Sequence, residues 1–149
     1  MSQYIIRRAL ASDAAELARL TSQLGYPATE TAIRSRLMRM IDSSDDCLLV
    51  AEVSGGELAG WIHGFLSQLL ESDYRVEIGG LLVDERWRRS GIGSRLVRAV
   101  DDWAVERGAT ELSVRCREER ADSHKFYDSL LFRHTKTQRV LRKRAGNAA

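Results

Sequence analysis

The sequence contains few of the residues that mark several specialised protein classes. One proline, two cysteines and three histidines occur in 149 residues. Cys47 and Cys116 form no CxxC pair and no metal-like cluster with the histidines, so the usual sequence signs of a zinc site are missing. We therefore predict two buried, inert thiols in a reducing compartment, and no bound metal.

Long hydrophobic runs and a strong charge imbalance are also missing. Charged residues such as Arg7, Arg8 and Asp13 interrupt the first segment, which is not the pattern of a signal peptide. No uninterrupted apolar run approaches the length that crosses a bilayer. The net charge is +2, too close to balance to require a nucleic-acid or membrane partner. We expect a cytoplasmic protein with neither partner.

The size and composition are those of one globular domain. Hydrophobic residues make up 44% of the chain and charged residues 30%, which is typical of a folded protein rather than a disordered one. We predict a single domain over 1–149, with a disordered basic tail at 142–149. Basic residues near this end could contact nucleic-acid phosphates, but such a tail is more often a solvated face: Arg133, Lys136, Arg139, Arg142, Lys143 and Arg144.

Hydrophobic periodicity predicts an α/β (α+β) fold. Ser12 is predicted to cap the first helix, and Thr29 or Thr31 to begin the second. The predicted strands are 4–9, 47–53, 58–66, 75–83, 111–116 and 135–141, and the predicted helices are 13–24, 29–41, 91–107 and 121–130. Hairpins followed by strand–helix–strand crossings indicate a mixed, largely antiparallel sheet with helices on both faces.

A phosphate-binding loop is predicted where the 75–83 strand leads into the 91–107 helix. Gly91 and Gly93 allow a tight turn that exposes several backbone N–H groups at the positive end of a helix dipole. Three arginines add positive charge beside this turn: Arg86, Arg88 and Arg89. A dinucleotide fingerprint would need glycine at Leu96, and the Gly-Lys-Ser/Thr of a P-loop is absent.

Three segments together resemble one enzyme family. The stretch Arg88–Gly93 has the form Arg-x-x-Gly-x-Gly, and Ile78–Asp84 precedes it as a strand. Further along, Arg120–Phe132 contains a His-x-Phe-Tyr-x-x-Leu block. The chain thereby resembles the GNAT superfamily of N-acetyltransferases over nearly its whole length. Three positions depart from the family pattern: Leu131 stands where glycine is usual, Arg117 where many relatives have asparagine, and Ser123 where alanine is frequent.

The resemblance implies a site for acetyl-CoA. The amides of the glycine turn would hold the pyrophosphate, and the pantetheine arm would pair with Leu81–Val83 like an extra strand. A backbone N–H near Leu81 or Leu82 would then stabilise an oxyanion. Gly79 and Gly80 suit a bulged strand, or could equally be packing glycines. The expected cofactor-binding residues are Leu81, Leu82, Val83, Arg88, Arg89, Ser90, Gly91, Ile92, Gly93, Ser94, His124 and Phe126.

The resemblance also implies two catalytic residues. Glu77 stands at the place of a family base that takes the proton from a cationic amine, although a solvent-facing strand glutamate is an equal alternative. Tyr127 matches the tyrosine that protonates the leaving thiolate, with core packing as its alternative. His124 could contact CoA. His63 is predicted to be a core or pocket-wall residue.

The sequence thus predicts an N-acetyltransferase that moves the acetyl group of acetyl-CoA to an amine by direct attack in a ternary complex. The alternative is a catalytically silent acyl-CoA-binding sensor. The acceptor could be a small-molecule or a peptide amine, and acidic residues such as Glu71, Asp73, Asp45 and Asp46 could steer a cation toward the site. A homodimer is common among members of the family.

Overall fold

The computed structural model describes residues 3–25 and 27–147. The chain divides into two compact units, 1–115 and 116–149. The first unit holds five strands and the second holds none among its described residues. The strands are β1 (Tyr4–Arg8), β2 (Asp46–Val53), β3 (Leu58–Ser67), β4 (Arg75–Val83) and β5 (Glu111–Val114), and the α-helices are α1 (Ala14–Thr21), α2 (Glu30–Met40), α3 (Ile92–Glu106) and α4 (Ala121–Ser129).

The strands form one sheet in the order β1-β2-β3-β4-β5. All neighbouring pairs are antiparallel except β4 and β5, which are parallel. A parallel pair needs a crossover connection, and α3 supplies it. The predicted mixed, largely antiparallel sheet is confirmed.

Helices cover both faces of this sheet. On β3, an added Cβ on Gly60 would meet the side chain of Ile92, and one on Gly64 would meet Val100, so these glycines face α3. The intervening Trp61 packs instead against the cluster that includes Leu17 and Leu37 of α1 and α2. Because successive strand residues point to opposite faces, α1 and α2 lie on one face and α3 on the other.

The N-terminal ends of the first two helices differ in how well they were predicted. Thr29 caps α2, and its Oγ1 accepts the N–H of Ala32 at 3.1 Å. Ser12 does not cap α1, because it lies within a short 3₁₀ turn, Ala11–Asp13, that precedes the helix. The carboxylate of Asp13 accepts the N–H of Leu10, the residue before this turn, at 2.7 Å.

Two glycines bound α3, as the sequence predicts. Gly91 is its N-cap with φ 86°, and Gly108 follows its C-terminus with φ 78°. Both values lie in the left-handed region that glycine adopts without a Cβ penalty. Of the described helices, none is both long and apolar enough to cross a bilayer.

The second unit contains α4 and an exposed tail. The strand predicted at 135–141 is wrong: these residues form no strand, and Val140 and Leu141 are exposed. Alternating side chains favour a strand only where another strand accepts its hydrogen bonds, and the described part of this unit offers none.

Candidate functional site

The connection from β4 to α3 has an unusual backbone. It begins with a 3₁₀ turn, Glu85–Trp87, and contains two left-handed residues, Arg89 with φ 63° and Gly91 with φ 86°. Glycine adopts this conformation freely, but for arginine it costs about 1–2 kcal/mol. Strain of this kind concentrates at functional sites.

The start of α3 can supply N–H groups to an anion. The first four amides of a helix have no acceptor within it, and here they belong to 91–94, because the Arg95 N–H already bonds to the Gly91 carbonyl. Ile92 is 1% exposed and packs in the core. Gly93 and Ser94 are partly exposed. Amides gathered at the positive end of a helix dipole fit a phosphate group.

The three arginines of the connection play different parts. The Arg86 guanidinium donates to Asp84 at 3.0 Å and also pairs with Glu57. Arg86 is therefore held in an internal network instead of adding its charge to the helix start, contrary to the sequence interpretation. Arg88 and Arg89 are exposed and are the arginines of this turn that a bound anion could reach.

Asp84 is the centre of that network. Its side chain is 2% exposed, and it accepts hydrogen bonds from the Arg86 backbone N–H and from Arg19 of α1, each at 3.0 Å. The guanidinium of Arg86, together with these bonds, holds the pKa of Asp84 well below its usual range despite burial. Arg19 also donates to the carbonyl of Leu58 at 3.0 Å. The network thus joins α1, the start of β3 and the phosphate turn.

The outer edge of β4 is open over its second half. β5 pairs only with Arg75–Ile78, and no described strand pairs with Leu81–Val83 on the side away from β3. The pairing of the two parallel strands therefore ends at Ile78, opposite Val114, the last residue of β5. An extended chain with amide groups can pair with such an edge by β-augmentation. Leu82 is 5% exposed, so its side chain is buried and cannot contact an incoming chain.

β4 has a bulge directly after Ile78, where its pairing with β5 ends. His63 pairs with Gly80 and Gly64 pairs with Ile78, which leaves Gly79 as the extra residue of β4. The two glycines also pack closely against β3. An added Cβ on Gly80 would lie 2.7 Å from the Trp61 ring, and one on Gly79 would lie 3.2 Å from both His63 Nδ1 and the Phe65 ring. The bulge and packing interpretations of these glycines both hold.

Glu77 is not a freely solvated strand residue. Its side chain is 15% exposed, and its Oε1 accepts a hydrogen bond from Nε of Arg115 at 2.8 Å. It stands opposite Phe65 of β3, and directly paired residues of neighbouring strands share a face. Glu77 therefore lies on the α1–α2 face, two residues before the bulge.

A second polar pair lies on the same face. His63 Nε2 and Asp46 Oδ1 are 2.7 Å apart, and their side chains are 18% and 22% exposed. The His63 ring packs against Phe65 with 5.6 Å between centroids. The sequence interpretation of His63 as a core or pocket-wall residue missed this carboxylate, because the pairing depends on the register of β2 on β3.

Three predicted site residues belong to the second unit. The Tyr127 ring makes edge contacts with Phe126 at 5.0 Å and with Phe132 at 5.2 Å. Burial, with a smaller effect of Cys116, raises the pKa of Tyr127 to about 12, so its hydroxyl is protonated at neutral pH. A ring nitrogen of His124 lies 2.9 Å from the carbonyl oxygen of Arg117.

The thiols and possible metal ligands give no further site. Cys47 is buried as predicted, and burial raises its pKa to about 11. Cys116 is exposed, so the prediction that both cysteines are buried is wrong for this one, which follows the end of β5 instead of lying within a strand. Desolvation nevertheless raises its pKa. No cluster of three or more possible metal ligands occurs among the described residues.

A comparison with protein families identifies the domain that contains this strand edge and helix start. The model of the acetyltransferase (GNAT) family covers residues 13–131. The chain belongs to this family. A search of curated proteins found no match.

Solved structures share the fold of this GNAT acetyltransferase domain. A transcriptional regulator from Bacillus halodurans C-125 has a TM-score of 0.85 and 21% identity, over 94% of this chain and 99% of that one. AAC(6')-Iy, in complex with a CoA-containing bisubstrate analogue, has a TM-score of 0.84 and 21% identity, over 97% and 100%. Glucosamine-6-phosphate N-acetyltransferase from Arabidopsis thaliana has a TM-score of 0.83 and 18% identity, over 95% and 99%.

Proposed function

We propose that the protein transfers the acetyl group of acetyl-CoA to an amine by direct attack in a ternary complex. The observation that carries this proposal is the continuity of two features. The β4 edge stands open over Leu81–Val83, and the same strand runs through a short connection into the N-terminal amides of α3. One extended molecule with amides at one end and phosphates at the other fits both features.

The cosubstrate would be held mainly by backbone groups. Leu81–Val83 would pair with the pantetheine amides, and the N–H groups of Arg89–Ser94 would bind the pyrophosphate, with the exposed Arg88 and Arg89 adding charge. One amide near Leu81 or Leu82 would face the thioester carbonyl and stabilise the oxyanion. In the second unit, the proposed cofactor contacts are His124 and Phe126.

Glu77 is the first candidate for the proton acceptor. An amine with a pKa near 10.4, like that of lysine, is almost fully protonated at neutral pH and must lose a proton before it attacks. Glu77 supports this assignment by its place on the α1–α2 face near the bulge. Its Oε1 already holds Arg115, which leaves Oε2 for the amine or for a water.

Tyr127 is the proposed donor of the proton that the leaving thiolate needs. The family resemblance supports this role, and so does the pKa of about 12, which keeps the hydroxyl protonated at neutral pH. We expect Tyr127→Phe to lower kcat by about 10²–10⁴-fold while acetyl-CoA binding is retained. An unchanged kcat would assign the residue to packing on Phe126 and Phe132.

A small cationic amine is the acceptor class that we propose. One structural neighbour holds an acetylneamine-containing CoA analogue, and another is a glucosamine-6-phosphate N-acetyltransferase. Acidic side chains occur along the loops of the first unit, including the exposed Asp45, Glu71 and Asp73. Negative charge around a cleft raises the local concentration of a cation.

The test is the release of free CoA thiol from acetyl-CoA in the presence of pooled polyamines, aminoglycosides, amino sugars, amino acids or short peptides. We expect release with at least one pool and none without protein. Acetyl-CoA binding by calorimetry, measured in parallel, separates the alternatives. Binding without release in any pool would favour the acyl-CoA sensor, and absence of binding would contradict both.

A further inference from the structure

His63 has the geometry of a proton acceptor. Its Nε2 lies 2.7 Å from the Asp46 carboxylate, and an ionised carboxylate only accepts hydrogen bonds. Nε2 therefore carries the hydrogen, and in the neutral ring Nδ1 holds a lone pair. No described residue bonds to Nδ1. An aspartate that fixes the histidine tautomer in this way is the arrangement that catalytic triads use.

The free nitrogen faces the bulge. A Cβ built on Gly79 would lie 3.2 Å from His63 Nδ1. Because glycine has no Cβ, no β4 side chain covers Nδ1 at this position, and Gly79 itself is exposed. The bulge is also the point where β5 leaves β4 and the open edge begins. His63 thus adjoins the place where the proposed function puts the thioester.

The surroundings of His63 hold its ring in this position. Phe65 packs against one side of the ring at 5.6 Å between centroids. Leu48, the residue opposite His63 on β2, packs on the core cluster shared with α1 and α2. Asp46 fixes the remaining ring nitrogen. A base held by packing and by a hydrogen bond is preorganised for proton transfer.

We propose that His63, oriented by Asp46, accepts the proton of the acceptor ammonium. The inference rests on the proposed function and reassigns a step for which Glu77 is the first candidate. Nδ1 removes one proton, and the neutral amine attacks the thioester carbon. The N–C bond forms and the C–S bond breaks. The thiolate sulfur takes its proton from Tyr127, and the second amine proton restores the Tyr127 hydroxyl, giving the amide and CoA thiol. His63 returns its proton to water.

Glu77 has a different part in this account. Arg115 occupies one of its carboxylate oxygens at 2.8 Å, and it lies across Phe65 from His63 on the same face. Its negative charge attracts the cationic acceptor without receiving the proton. Loss of this charge should therefore raise KM for the amine more than it lowers kcat.

The test compares two nucleophiles in His63→Gln. One is the amine pool that releases thiol with the native chain, and the other is hydroxylamine, which is neutral at neutral pH and needs no base. We expect kcat with the amine to fall by about 10²–10⁴-fold, with the hydroxylamine rate and the acetyl-CoA affinity retained. Asp46→Asn keeps the imidazole and should show the same selective loss, because an amide no longer specifies the tautomer.

His134→Gln is the matched control, since His134 is exposed and its Nε2 lies 3.0 Å from the hydroxyl of nearby Thr137. Equal loss with both nucleophiles would show a structural role for His63 and overturn the inference, as would full activity of His63→Gln. A loss selective for the amine in Glu77→Gln alone would return the step to Glu77. Failure of the native chain with both nucleophiles would overturn the proposed function itself.

Discussion

At the scale of single residues, two residues other than glycine adopt left-handed backbone conformations that are usual for glycine. Arg89 has φ 63° in the phosphate turn, and Leu131 has φ 72° after α4. Leu131 stands where the family pattern has glycine. The turn keeps a glycine-like conformation there, and leucine bears its cost of about 1–2 kcal/mol.

Leu131→Gly should stabilise the protein. Leu131 is the left-handed residue of a Schellman motif, in which the Phe132 N–H bonds to the Tyr127 carbonyl and the Leu131 N–H to the Asp128 carbonyl. The Leu131 side chain is 91% exposed, so its removal loses little buried area. We expect the free energy of unfolding by urea to rise by up to about 1 kcal/mol. A decrease would contradict this account of the turn.

Gly91→Ala should weaken acetyl-CoA binding more than it weakens the fold. An added Cβ has no neighbour within 4 Å, but φ 86° is unfavourable for alanine, at a cost of about 1–2 kcal/mol. The helix start is then expected to shift away from its phosphate-binding geometry. Titration of acetyl-CoA by calorimetry should show a Kd raised by about tenfold or more, on the basis of 1.4 kcal/mol per tenfold change.

Gly108→Ala is the control for this change. Gly108 has φ 78° at the other end of the same helix, and its added Cβ also meets nothing within 4 Å. The two variants should lose similar stability, and only Gly91→Ala should lose affinity. Equal affinities would indicate that the start of α3 does not bind the cosubstrate.

At the scale of secondary-structure elements, a network of charged side chains around the buried Asp84 joins α1 to the connection between β4 and α3. Asp84 accepts hydrogen bonds from Arg19 of α1 and from Arg86 of the β4–α3 connection. Glu16 accepts two hydrogen bonds from Arg19, of 3.0 and 2.9 Å. Breaking a hydrogen bond to a charged group costs about 1.5–3 kcal/mol. The network therefore fixes α1 against the connection that begins the candidate site.

Asp84→Asn should destabilise the first unit at neutral pH by about 1.5–3 kcal/mol and make its stability less dependent on acid. The pKa of Asp84 is lowered in the folded state by hydrogen bonds from Arg86 and Arg19. The unfolded chain thus takes up a proton at higher pH, near 3.9. The stabilisation is complete above that pH and is lost as pH falls through the lower folded-state value.

Urea unfolding from neutral pH downward measures this effect. For the native protein, the free energy of unfolding should begin to fall near pH 5 and continue downward. For Asp84→Asn the fall should be shallower, with Asp101→Asn, an exposed position on α3, as the control. Parallel pH curves for the native protein and Asp84→Asn would contradict the role given to this carboxylate.

The elements differ in how far the sequence could predict them. The β4 bounds and the glycines at both ends of α3 agree with the prediction, since apolar periodicity and left-handed glycines are local signals. The pairs Asp84–Arg19 and Asp46–His63 were not predictable, because the first depends on the packing of α1 and the second on the register of β2 on β3. The strand predicted at 135–141 does not form. A strand needs a partner strand, and local side-chain alternation does not show whether one is present.

At the scale of the whole molecule, the family assignment and the topology of the sheet agree. The sheet is antiparallel except for its last pair, β4 and β5, which is parallel. β5 pairs with β4 only as far as Ile78, so no described strand pairs with Leu81–Val83 on that side. The sequence predicted this family from the glycine turn and the Phe-Tyr block, and the family model over residues 13–131 confirms it.

The most direct test of the central claim is to mass-analyse the amine pools after incubation with the purified chain and acetyl-CoA carrying a deuterated acetyl group. The account predicts one product whose nitrogen bears the labelled acetyl group, formed in step with free CoA thiol. Absence of any labelled amine in every pool, with acetyl-CoA consumed or bound, would contradict an N-acetyltransferase acting on these acceptors.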